Sequence, residues 1–196
     1  MHRQQIKWKR VRIGVIIGLT CLLVILSLAL AQGFELQTST YKLENPECGH
    51  YVLIMEFHRA EDEEISSFIL FQSDYVDTNV LGAKATDLES GDKIKTSITK
   101  DKQGYFNVMV GPTSGKVIRV ELDIYEPRLF EIKNKRFSFN KEISGEQLVT
   151  VILPPGYGLL ESTGIPELGN EGRVHVEFYL RGKKPFPVHV VAAKLE

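Results

Sequence analysis

Two hydrophobic patterns divide the chain, one continuous and one alternating. Residues 13–31 (IGVIIGLTCLLVILSLALA) contain no charge and no proline. As a helix, this segment of 19 residues would rise about 28 Å, close to the roughly 30 Å hydrocarbon core of a bilayer. Beyond residue 46, apolar side chains recur at every second position in short runs separated by turn residues. The pattern predicts one transmembrane helix, 13–31, followed by a β-rich domain.

The residues before the apolar run set its orientation. They contain no acidic residue and five cations, Arg3, Lys7, Lys9, Arg10 and Arg12. Because cationic flanks stay in the cytoplasm, we expect residues 1–12 to form a basic cytoplasmic tail and the C-terminal part to lie outside the cell membrane. Gly14 and Gly18 form a GxxxG pair, which predicts a helix-pairing surface and a homo-oligomer.

A cleaved signal peptide is the alternative to an anchor. The Ala29-Leu30-Ala31 sequence fits a small-x-small cleavage site, and cleavage after Ala31 would release a secreted β-domain. We favour the uncleaved signal-anchor, because the apolar run exceeds the about 7 to 15 apolar residues usual in signal peptides.

The alternation is clearest over residues 117–125, where one face is apolar (Ile118, Val120, Leu122, Ile124) and the other charged (Arg119, Glu121, Asp123). Such alternation indicates an antiparallel strand with one buried face. Further strands are predicted at 51–58, 68–72, 93–99, 105–110, 129–132, 136–139, 148–153, 173–180 and 188–193. Residues 32–46 are interpreted as a connector, and residues 74–89 as irregular or one short helical turn.

Short strands between frequent turn signals predict an all-β fold, an antiparallel β-sandwich of immunoglobulin-like architecture, spanning residues 47–196 and preceded by the N-terminal transmembrane α-helix. A division into two small β-domains near residues 126–141 is the alternative. The Cys…Trp…Cys signature of true immunoglobulin domains is missing, since the single tryptophan is Trp8.

The net charge and the spacing of reactive side chains limit the classes of function that the sequence supports. Beyond residue 12 the chain carries 19 Lys and Arg against 25 Asp and Glu, a net charge of −6, which argues against a nucleic-acid partner. Cys48, His50, Glu56 and His58 are metal-ligand types, but on an extended strand they span about 20 Å, too far for one ion. No Gly-x-Ser-x-Gly elbow occurs. We therefore predict no cofactor, no metal and no enzymatic activity, and we expect Cys48 to be a buried thiol or a link to another chain.

Two loops carry residues suited to binding a partner. One displays Tyr157 after Pro154-Pro155-Gly156, and the other displays Arg181, Lys183, Lys184 and Phe186. Aromatic and cationic side chains are common in interfaces. The alternative, which we favour for Tyr157 and Phe186, is that both rings pack as lids over the core.

These observations predict a non-catalytic, single-pass, membrane-anchored envelope protein, held in the lipid by its helix. Its extracytoplasmic domain would bind another envelope protein or a surface layer, as an accessory subunit. A membrane-tethered ligand- or glycan-binding domain is the first alternative, and an envelope enzyme the less favoured one. An exposed apolar patch or edge strand would favour the first function, a concave polar pocket the second, and titratable groups clustered in a cleft the third.

Overall fold

The computed structural model describes residues 34–59, 68–73, 75–169, 172–182 and 184–195. The predicted tail, transmembrane segment and GxxxG pair (Gly14, Gly18) lie outside these residues, as does Lys183. Residues Glu35–Glu196 form one compact unit. Across the described part of the chain, no helix is both long and apolar enough to cross a bilayer.

The regular secondary structure of the described residues is almost entirely β-strand, which confirms the predicted all-β class. They contain two short 3-10 turns, η1 (Pro46–Cys48) and η2 (Pro127–Leu129). The strands are β1 (Phe34–Asn45), β2 (His50–Arg59), β3 (Phe68–Gln72), β4 (Asn79–Asp87), β5 (Lys93–Ile94), β6 (Thr96–Lys100), β7 (Phe106–Val110), β8 (Val117–Tyr125), β9 (Phe130–Lys133), β10 (Arg136–Ile143), β11 (Gln147–Ile152), β12 (Tyr157–Ser162), β13 (Ile165–Leu168), β14 (Val174–Leu180) and β15 (Phe186–Lys194).

The strands form three sheets. The largest has eight strands in the order β13-β14-β11-β1-β2-β8-β4-β5, the second has the order β12-β15-β10-β9, and the third β3-β7-β6. Strands β1 and β11 run parallel, with Thr38 opposite Leu148 and Lys42 opposite Ile152. The large sheet is therefore mixed, and the prediction of a purely antiparallel fold is wrong at this pair. Its two strands come from distant parts of the chain, so no hairpin turn constrains their direction.

The core lies on the inner face of the large sheet, and it is rich in aromatic rings. Tyr41 of β1 contacts Phe139 of β10 with ring centroids 5.4 Å apart, so the eight-stranded and four-stranded sheets pack against each other in a sandwich-like arrangement. The ring centroid of Phe130 lies 5.6 Å from that of Phe139 and 6.1 Å from that of Phe137. The four apolar residues of β8 identified by their alternation are fully buried: Ile118, Val120, Leu122 and Ile124.

Several segments differ from the sequence-based expectation, including β12 and β13, which lie where no strand is predicted. The connector predicted at 32–46 contains the long strand β1, in which Ser39, Tyr41 and Leu43 are buried in alternation. The segment 74–89, predicted to be irregular, contains β4, whose register shifts between Val80 and Gly82. The predicted strand 93–99 is divided into β5 and β6. Threonine and serine conceal the alternation in β1, and a bulge interrupts the alternation in β4.

Candidate interaction surfaces

The two predicted binding loops lie at opposite ends of β15. Tyr157 pairs with Lys194 at the end of β15, while Phe186 begins that strand opposite Ile143. Eight residue steps separate Phe186 from Lys194 along β15, a distance of about 26 Å in an extended strand. The structure therefore does not bring the two loops together into one site.

The two aromatic side chains have different environments. The ring of Tyr157 is half-buried and lies 5.3 Å from that of Phe137. Burial, and secondarily the charge of Glu47, raises the pKa of the Tyr157 hydroxyl. Phe186, Arg181 and Lys184 are exposed. Tyr157 thus packs partly against the core, while Phe186 leaves much of its ring accessible.

A second surface lies at the edge of the eight-stranded sheet. Among the strands that the structure describes, β13 pairs with β14 alone, and each of its residues is exposed. Leu168 is 79% exposed and Ile165 is 56% exposed, while Tyr179 of the adjacent β14 is 62% exposed. Because Ile165 pairs with Glu177, it shares a face with Tyr179, two residues further along β14. Ile165, Leu168 and Tyr179, together with Leu160 of β12 in the four-stranded sheet, are exposed and are named here the apolar edge. Leu168 pairs with Val174 and therefore lies on the opposite face of the sheet from Ile165 and Tyr179.

Hydrogen bonding at the apolar edge holds one tyrosine hydroxyl in place. The Tyr179 hydroxyl donates to Glu177 Oε2 at 2.8 Å. This hydrogen bond and the negative charges of Glu177 and Glu167 raise the pKa of Tyr179. The ring is therefore presented as a neutral, outward-facing group beside two carboxylates.

The candidate metal ligands have other partners. His50 Nε2 lies 2.6 Å from Asp123 Oδ1, and Glu56 accepts from Arg119 Nε at 3.0 Å. The Cys48 thiol donates to the Asn45 carbonyl oxygen at 3.5 Å. Within the described ranges, no three His, Cys, Asp or Glu side chains are grouped closely enough to hold a metal ion. Cys48 is a free, half-buried thiol.

A surface depression beside β10 and β15 has a volume of about 610 Å³. It is lined by polar groups of β10 and β15, among them Asn140 and His189, together with Tyr75. His189 Nδ1 lies 2.6 Å from Asn140 Oδ1, so these two polar groups already bond to each other.

Comparison with known proteins gives a class of fold. No family model and no curated protein match this chain. The fold is similar to part of several solved structures.

Particular solved structures with this fold are much longer proteins. The chain is similar to yeast leukotriene A4 hydrolase in complex with bestatin, with a TM-score of 0.54, 9% identity, and coverage of 84% of this chain and 29% of the hydrolase. For the native Saccharomyces cerevisiae enzyme the TM-score is 0.50 at 9% identity, covering 83% and 29%. For the M1 zinc metallopeptidase of Deinococcus radiodurans it is 0.48 at 15% identity, covering 83% and 42%. The chain thus spans less than half the length of these structures, and the similarity shows the fold alone.

Proposed function

We propose that the chain is a single-pass, membrane-anchored, non-catalytic envelope subunit whose extracytoplasmic β-domain binds a partner protein. The uncharged run 13–31 with its cationic flank supports the anchor and its orientation. The observation that carries partner binding is the apolar edge.

An exposed edge of this kind is unusual for a domain without a partner. Exposed apolar side chains that cluster, unlike single ones, mark interaction sites. Tyr179 is of a residue type enriched in interfaces, and the aliphatic side chain of Ile165 lies on the same face of the sheet. Leu168 adds exposed apolar surface on the opposite face of β13. Burial of these side chains against a partner would remove apolar surface from water, which supplies free energy of binding.

The sequence supports a non-catalytic function. Although the fold is similar to part of a zinc metallopeptidase, none of the five histidines of this chain is followed by glutamate, so it contains no His-Glu-x-x-His sequence. That sequence places two zinc-ligating histidines and a general base on one helix. This chain carries no counterpart of that motif.

Purification of the full-length, tagged chain in mild detergent tests the proposal. We expect one partner to co-purify in fixed stoichiometry with the wild type. The double variant Ile165→Asp/Leu168→Asp should lose about 90% of it, because a central apolar contact is often worth 1–2 kcal/mol or more. Leu81→Asp is the matched control, since Leu81 is 57% exposed on a different strand. Absence of a partner from the wild type, or its retention by the double variant, would refute the proposal.

Ligand binding is a second candidate function, favoured by the depression beside Tyr75, Asn140 and His189. Aromatic and amide groups are suited to sugars and other small polar molecules. A soluble glycan fragment can be titrated into the protein while the nuclear magnetic resonance signals of His189 are followed. Chemical shifts that change and then saturate would favour ligand binding over partner binding.

A further inference from the structure

The hairpin between β9 and β10 has an unfavourable turn sequence. Its two-residue loop is Asn134-Lys135, with φ of 53° and 60°. Both residues are left-handed, as in a type I′ turn, for which glycine is the preferred second residue. Lysine at this position incurs a steric cost that glycine would avoid.

The residues that flank the turn are also unfavourable neighbours. Lys133 and Arg136 pair directly across the two strands and so share a face. Like charges at opposed positions of an antiparallel pair repel each other. Neither forms an ion pair with any residue that the structure describes. The hairpin therefore combines two local costs, each of which one substitution could remove.

Strand β15 adds another cation at the same end of the domain. The Lys194 backbone N–H donates to the Lys135 carbonyl oxygen at 3.2 Å. A depression of about 420 Å³ opens between Lys135, Lys194, Leu195, Tyr157 and Glu47. Lys133, Lys135, Arg136 and Lys194, all exposed, are named here the basic tip.

Apolar side chains accompany the basic tip. Ile132 precedes Lys133 on β9 and Leu195 follows Lys194, and both are exposed. Glu131 on β9 and Glu47 of η1 border the cations. The surface is thus a mixture of cations and aliphatic groups, interrupted by carboxylates.

We propose that the basic tip binds an acidic segment of the partner protein that also carries apolar residues; this inference rests on the proposed function and names part of its binding surface. Strain and unrelieved repulsion are retained in proteins where function requires them. Here both costs keep positive charge at a projecting turn, which a carboxylate-rich partner would neutralise.

The surroundings of the basic tip favour a protein over a nucleic acid or a bilayer. The net charge of −6 beyond residue 12 repels an extended polyanion, while a short acidic segment can be bound locally. Ile132 and Leu195 provide apolar contact within a charged rim, as protein interfaces do. The two bordering carboxylates would oppose a continuous row of phosphates.

Binding of a fluorescent synthetic peptide, glutamates with isolated leucines, to the full-length chain in detergent tests the inference. The variant Lys133→Gln/Lys135→Gly/Arg136→Gln is compared with Lys84→Gln/Lys93→Gln/Lys102→Gln, which changes the net charge equally at exposed lysines elsewhere. We expect the tip variant to bind about tenfold more weakly than the wild type and the control. Its melting temperature should not fall, because the substitutions relieve strain and repulsion.

Three results would overturn the inference. These are failure of the wild type to bind the peptide, equal binding by the tip variant, and tighter binding of polyphosphate or of phosphatidylglycerol vesicles. Co-purification separates this failure from that of the proposed function. A partner that is retained by the tip variant refutes the inference alone, while a wild type that captures no partner refutes the proposed function.

Discussion

At the scale of single residues, a buried arginine joins the ends of two strands of the β-domain. Arg173 is only 7% exposed. It donates from Nε to the Leu153 carbonyl oxygen at 2.7 Å and from Nη2 to the Leu43 carbonyl oxygen at 2.9 Å. Its Nη1 lies 3.7 Å from Glu44 Oε1. One guanidinium therefore satisfies carbonyl groups at the ends of β11 and β1, the two strands that run parallel.

We predict that Arg173→Met lowers the free energy of unfolding by about 2–4 kcal/mol, because buried carbonyl groups lose charged donors. Urea denaturation of the purified protein measures this. Arg119→Met is the control, since Arg119 pairs with Glu56 on an exposed face, and should cost less than about 1 kcal/mol. An equal decrease in the free energy of unfolding in the two variants would show that Arg173 stabilises the domain no more than an exposed arginine does.

Ionisation of one tyrosine, Tyr157, makes the stability of the domain depend on pH. Burial, then Glu47, raises the pKa of Tyr157 above 10.0 in the folded protein. The unfolded chain then ionises first, so this contribution to stability is present below pH 10.0 and is lost as the pH rises through the folded pKa. We predict that Tyr157→Phe, which keeps the ring, shows a smaller loss of stability above that pH. Unfolding free energies on both sides of it would measure the difference, and equal losses would contradict the prediction.

At the scale of elements, the two 3-10 turns meet at a glycine. Gly49 ends η1 with φ of +77°, and a β-carbon there would lie 2.4 Å from Pro127 Cα, at the start of η2. The Glu126 backbone N–H also donates to the Gly49 carbonyl oxygen at 2.8 Å. Both the conformation and the close approach require glycine.

We predict that Gly49→Ala lowers the free energy of unfolding by about 3 kcal/mol or more, since left-handed strain and a backbone clash add. Gly91→Ala isolates the first effect, because Gly91 has φ of +79° with no atom within 4 Å of the added carbon. That variant should lose about 1 kcal/mol. Thermal or urea unfolding of both variants checks the difference, which a similar loss in each would contradict.

The strands differ in how well they can be predicted from their own sequences. Strand β8 is predicted over its full length, because it lies inside the sheet and four apolar residues at every second position face the core. Strand β1 is not evident from its sequence although Ser39, Tyr41 and Leu43 alternate inward, because Ser39 is itself polar and lies between two threonines. The parallel pairing of β1 with β11 depends on contacts between distant segments, which no local pattern contains.

The candidate surfaces were foreseen less well than the fold. Aromatic and cationic residues favour Tyr157 and the 181–186 loop as binding sites, but the register of β15 places them at opposite ends of that strand. The apolar edge lies in β12, β13 and β14, and the first two of these lack alternation because they have little buried surface. The basic tip had a visible signal, the sequence Lys133-Asn134-Lys135-Arg136 between two short apolar runs, but only the cross-strand register shows that Lys133 and Arg136 are opposed.

At the scale of the whole molecule, the fold occurs as less than half of the longer solved chains that it resembles. In this chain the segment that precedes it includes an uncharged run of membrane-spanning length. The basic tip lies at the end of the β-domain where β1 finishes, since Lys135 and Glu47 line one depression.

Protease treatment of sealed, right-side-out membrane vesicles tests the proposed topology, because partner binding outside the cell requires a tethered, extracytoplasmic domain. We expect protease to degrade the β-domain in intact vesicles and to leave a small N-terminal fragment in the membrane. A full-length chain that is protected until detergent is added, or a chain released into the soluble fraction without protease, would contradict the proposed topology.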